Sequence, residues 1–157
     1  MQNQDSTDNN NALIGSADEV VARTHIDSFT TELLAAEHPL IADEPTAVGG
    51  NNKGPSPYDL LSAALASCTS MTLKMYAAHK ELALRSVTVR VKHAKVHAKD
   101  CADCESADGK IDEFQREIIL VGQLSDEEQR RLLEIADKCP VHRTLLGEIK
   151  IRTELRV

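Results

Sequence analysis

The chain has 157 residues, enough to close one domain around its own core, and a formal net charge of -7. That charge leaves no basic face for a nucleic-acid backbone or an anionic membrane, so both are excluded as expected partners. Four cysteines are too few and too unevenly spaced for a secreted disulfide scaffold, which points to catalytic or metal-binding thiols instead.

The first stretch, MQNQDSTDNNNALIG, is too polar to bury enough apolar area to offset its ordering entropy. Residues 1–16 are therefore expected to form a disordered tail, and 17–157 the folded domain. No charged and apolar leader pattern opens the chain, and no apolar run approaches the roughly 18–20 residues that span a bilayer, so the expected location is the cytoplasm. Between Asp18 and Ile41, the segments EVVARTHI and SFTTELLAAE alternate in part and carry β-branched residues, as an antiparallel hairpin does, with HPLIAD as a third short strand. Residues 43–56, dense in Gly, Pro and Asn, read as a loop.

A helix start follows: Ser56 as cap, Pro57 in the first helical position, and Asp59 three residues after the cap. From there the chain runs without Gly or Pro to about Lys80, with Leu61, Ala64, Leu65, Cys68, Thr72 and Met75 on one stripe. So apolar a helix is expected to be central, packed by sheets or by a partner subunit. Ser86 to Ala98 alternates as a strand with Val87, Val89 and Val91 on one face, and Glu113 to Gly122 reads as its return. Ser125 and Glu128 open an amphipathic helix running to Cys139; Pro140 breaks it and starts a short helix through Leu146. Ile149 to Val157 then alternates as a closing strand. Strands grouped around helices, rather than alternating with them, give an α+β class.

Three groups of residues can carry chemistry. Cys139 precedes Pro140 and so stands at the start of a short helix, with His142 one turn on and Arg143 beside it, a setting that lowers a thiol pKa. Read locally, it is either a reactive thiolate or a small apolar side chain at a helix junction. Cys68, on the apolar stripe, reads by spacing alone as a core cysteine that only a partner thiol would promote. His93, His97, Cys101 and Cys104 form an H-x3-H-x3-C-x2-C segment of the residue types zinc prefers. Two histidines four apart in a strand lie about 13 Å apart, however, which strains one tetrahedral site unless the strand bends. A zinc site, a redox dithiol and an idle loop pair all remain open there.

Taken together and in order, GPSPYDLLSAALASC ending at Cys68 and ADKCPVHRTL around Cys139 resemble the OsmC/Ohr family of thiol-dependent peroxidases. The resemblance covers about residues 28–157. It implies an OsmC-like fold, a long central helix packed by antiparallel sheets in an intertwined homodimer. It further implies a redox-active pair in which Cys68 is the peroxidatic thiolate and Cys139 the resolving thiol. The substrate would be an organic hydroperoxide, the reductant an external dithiol and the role defence against oxidative stress, with no cofactor required. Asp59 matches the family's carboxylate near the helix start. The loop 43–56 holds no arginine, so Lys53 or Arg143 would supply the positive charge beside the reactive thiol. The alternative is a redox sensor or metal-binding protein of the same fold with little turnover, using His93, His97, Cys101 and Cys104.

Overall fold

The computed structural model describes residues 13–100 and 108–156. Most of the expected tail, and both Cys101 and Cys104, lie outside the described residues. Two compact units divide the chain between Tyr58 and Asp59.

The first unit is a three-stranded antiparallel meander of β1 (Val20–Thr24), β2 (Thr31–Ala35) and β3 (His38–Ala42), in that order. It realises the expected hairpin and third strand, with Arg23 opposite Glu32 and Leu33 opposite Leu40. Pro39 is accommodated because β3 is an edge strand of this sheet, where a missing N–H costs no ladder bond. Ala36 and Glu37 turn β2 into β3, with Ala36 at φ 54, in the left-handed region.

The loop after β3 is organised around Asp43, which is buried. Its carboxylate accepts from the Thr30 hydroxyl at 3.0 Å and from the backbone N–H groups of Glu44 (2.8 Å), Asn51 (3.3 Å) and Lys53 (3.2 Å). The chain folds back so tightly that a Cβ on Gly50 would collide with the Glu44 carbonyl, and one on Gly54 with that of Ile41. The glycines at these positions are therefore a packing requirement.

The second unit contains α1 (Pro57–His79, whose first two residues fall in the first unit), β4 (Leu84–His97), β5 (Lys110–Gly122), α2 (Asp126–Ala136) and α3 (Pro140–Leu146). Strands β4 and β5 form an antiparallel ladder whose register shifts only near Leu84 and Ser86. Its inward face carries Val87, Val89, Ile118 and Leu120. Against it Leu73 and Ala77 of α1 and Leu132, Ile135 and Ala136 of α2 form the core. At about 25 cal/mol per Å2 of apolar area removed from water, this burial is the main stabilising term of the unit.

Helix α2 opens as expected. The Glu128 N–H donates to Ser125 Oγ at 3.3 Å, and the Ser125 N–H donates to Glu128 Oε2 at 2.7 Å. Helix α1 begins at Pro57 as expected, but its buried line is Leu65, Thr69, Leu73 and Ala77, not the stripe through Leu61 and Met75. Leu61, Met71 and Met75 stay exposed. The closing strand does not form: residues 148–156 have no regular structure and leave Ile149, Ile151 and Leu155 exposed. Alternation is a property of the segment, whereas a strand needs a neighbouring edge to bond to, and none of the described residues pairs with it. No helix among the described residues is long and apolar enough to cross a membrane.

Candidate active site

Helix α1 presents Cys68 beside Thr69, one of the four residues on its buried line, so the Cys68 side chain is half-buried. Helix α2 ends at Ala136, and three residues later Cys139 becomes the N-cap of α3 with Pro140 in its first position. Proline forces the residue before it out of the helical region, and Cys139 takes φ -54 and ψ 129. Its own N–H is tied back to the Ala136 carbonyl at 3.3 Å. Its side chain is wholly enclosed.

The second unit brings the two thiols together across the chain. Both are free, and each is close enough to move the acidity of the other. Around Cys139, burial pushes the thiol up. Hydrogen bonds from Cys68, the His142 N–H, the Thr69 hydroxyl and the Val141 N–H outweigh that, and the group falls below the ordinary thiol value. The two backbone donors are first-turn groups of α3 that no helical carbonyl can satisfy. Around Cys68, burial again pushes up, and here the hydrogen bond and the charge of Cys139 add to it. The Val141 N–H and Thr72 offset only part, so Cys68 stays above the ordinary value. Of the two, Cys139 is therefore the more acidic thiol and Cys68 the less acidic one.

One part-buried cation was not anticipated. Arg116 lies on the inward face of β5, at the same parity as Ile118 and Leu120, and its side chain is only 12% exposed. Its Nη1 donates to Thr69 Oγ1 at 3.1 Å and to the Ala136 carbonyl at 3.2 Å, and its Nη2 pairs with Asp137 Oδ1 at 2.6 Å. The sequence signal was available: a charged residue on the apolar face of an alternating strand.

The other expected residues sit elsewhere. Asp59 is in the first turn of α1, nine residues before Cys68 and about 13 Å from it along the helix axis. Arg143 is exposed on α3, and its side chain makes none of the contacts that hold Cys139. Lys53 belongs to the first unit. His93 is held by Asp112 Oδ1 at 2.8 Å and lies against Phe114, while His97 is exposed four residues further along an unbroken ladder. The strand does not bend to bring the two imidazoles to one point. No group of three or more candidate metal ligands occurs among the described residues.

A cavity of about 460 Å3 runs along α1 and β4, lined by Met71, Ala77, Leu82 and Val87 together with the polar Ser70 and Lys74. Neither cysteine lines it.

A long helix, a two-stranded ladder, and a second helix broken by a Cys-Pro junction that meets a helix cysteine define a class of two-thiol α+β protein. The family of OsmC-like proteins matches residues 50–154, and the chain belongs to it. Solved structures with the same fold include an OsmC-like protein from Mycoplasma pneumoniae, at TM-score 0.63 and 21% identity, covering 82% of this chain and 86% of that one. An organic hydroperoxide resistance protein OsmC from Legionella pneumophila matches at TM-score 0.60 and 20% identity, covering 82% and 90%. An organic hydroperoxide resistance protein from Elizabethkingia anophelis matches at TM-score 0.62 and 18% identity, covering 89% and 94%. Comparison with curated proteins finds no match.

Proposed function

We propose that this protein is a thiol-dependent peroxidase that reduces organic hydroperoxides through Cys68 and Cys139, acting as a homodimer and recharged by an external dithiol. The observation that carries this reading is the placement of two free thiols close enough to shift each other's acidity, a half-buried one on α1 and an enclosed one at the N-cap of α3. Family membership and the hydroperoxide-resistance proteins among the structural neighbours support it.

Local electrostatics put the more acidic thiol at Cys139, whereas the family pattern gives the attack to Cys68. Accessibility supports Cys68, since a half-buried sulfur is easier for a hydroperoxide to reach than an enclosed one. The two facts fit one sequence of steps. The Cys139 thiolate takes the proton of Cys68, and the Cys68 sulfur attacks the terminal peroxide oxygen. The O–O bond breaks, and the alkoxide leaves and is protonated to the alcohol. Cys68 is now a sulfenic acid, two electrons oxidised. Cys139, again as thiolate, attacks that sulfur, expelling hydroxide that is protonated to water, and a disulfide closes. The balance is two thiols and one hydroperoxide giving one disulfide, one alcohol and one water. These steps call on no metal or organic cofactor.

Consumption of an alkyl hydroperoxide in the presence of dithiothreitol tests the proposal. Wild-type protein is expected to turn over repeatedly and Cys68→Ser to fall to the uncatalysed background. Undiminished consumption by Cys68→Ser would overturn it.

A further inference from the structure

Hydroxyl side chains inside helices usually bond back to a carbonyl three or four residues earlier. Near the thiol pair, Ser67 donates to the Ala63 carbonyl at 2.7 Å, Ser70 to that of Ser67 at 2.9 Å, and Thr72 to that of Cys68 at 2.8 Å. Thr69, fully buried among them, is the exception. Its Oγ1 accepts from Arg116 at 3.1 Å, and its hydroxyl is one of the groups beside Cys139 that hold that thiol below the ordinary value.

A guanidinium has five donors and no acceptor, so a hydroxyl facing it can only accept. The single proton of Thr69 is thereby kept off the guanidinium side and left for another partner. The same Nη1 also holds the Ala136 carbonyl, which is the acceptor of the Cys139 N–H. Arg116 thus reaches Cys139 along two short routes, one ending on its sulfur and one on its backbone. Asp137, on the far side of the guanidinium, fixes the direction of the fork. Ionisable groups that face this cluster include Cys68 from α1, Arg116 from β5 and Asp137, the residue that caps the end of α2.

We propose that Arg116 is a positioning residue for the Cys139 thiolate, acting through Thr69: it saturates the acceptor side of that hydroxyl and turns its proton onto the sulfur. This deepens the peroxidase reading by assigning the thiolate's support to a strand arginine that makes no use of loop 43–56.

The test is a residue-resolved pH titration of the Cys139 13Cβ resonance in reduced protein, in a Cys68→Ser background so that one thiol titrates at the site. Thr69→Val and Arg116→Met should each move the midpoint upward and cut the thiolate fraction at neutral pH severalfold. Thr69→Ser should restore it. Combined with Thr69→Val, Arg116→Met should add clearly less than its own single-variant shift, because the route through the hydroxyl is already gone and only the route through the Ala136 carbonyl is left to lose. An unmoved midpoint in Thr69→Val, or a full additional shift in the double variant, would overturn the proposal. Should Arg116→Met fail to fold, Arg116→Lys keeps the charge and one donor, and the Thr69→Val and Thr69→Ser pair still decides. The titration uses no hydroperoxide, so a protein without peroxidase turnover would leave its outcome readable.

Discussion

Asp43 and Cys139 are both enclosed groups made more acidic by backbone N–H donors, so their pKa values are displaced in the same sense. For Asp43, burial alone would push the carboxyl up. The N–H groups of Lys53 and Glu44, the Thr30 hydroxyl and the Asn51 N–H more than offset it, leaving the group below the usual carboxylate range. A lowered folded value means stability that is present above the unfolded value and lost as pH falls through the folded one. Asp43→Asn keeps the shape but gives up the charge, so the amides of Glu44, Asn51 and Lys53 should exchange with solvent faster at neutral pH. The difference from wild type should vanish in acid. Hydrogen exchange measures this, and equal exchange at pH 7 would contradict it.

For the cysteines, the proposed division of labour makes a separate prediction. In Cys139→Ser, one hydroperoxide treatment should leave Cys68 as a sulfenic acid that dimedone captures, whereas in wild type the disulfide should close before capture. Mass spectrometry of the Cys68 peptide reads the adduct.

At the scale of elements, what the sequence disclosed and what it hid follow from the range of the forces involved. Pro57, the Ser125–Glu128 pair and the Cys139–Pro140 junction act within a turn of chain, and each set an element boundary where expected. The buried line of α1 did not emerge, because a helix apolar on most sides has no dominant face to choose, and the choice falls to what packs against it. The meeting of Arg116 with Thr69 spans 47 positions of sequence, and that of Cys68 with Cys139 a still longer interval. No local pattern encodes such pairs; the thiol pairing was reached through the resemblance, and Arg116 was missed. Two stability changes belong at this scale. Ser125→Ala should cost about 1 kcal/mol by removing the cap of α2. Leu73→Ala, emptying a fully buried position on α1, should cost about 2–5 kcal/mol. Both are readable by denaturant unfolding as shifts in midpoint at constant slope.

For the whole molecule, the apolar groups left in water are the informative ones. Leu61, Met71 and Met75 on α1, and Ile149, Ile151 and Leu155 in the unpaired C-terminal segment, are exposed in the single chain. An apolar helix face and an alternating segment without an edge are what a second copy would cover, which supports the homodimer in the proposed function. Light scattering after size exclusion should give twice the chain mass, and Met71→Glu with Met75→Glu should shift it toward the monomer. A monomeric wild type at micromolar concentration would contradict this part of the account.

The central claim is that Cys68 and Cys139 are one redox couple. The most direct measurement is a single turnover: reduced protein mixed with one equivalent of an alkyl hydroperoxide, quenched by alkylation, and digested for disulfide mapping. One Cys68–Cys139 disulfide and one alcohol are expected per hydroperoxide consumed. Consumption that leaves both thiols alkylated, or oxidation lodged elsewhere in the chain, would contradict it.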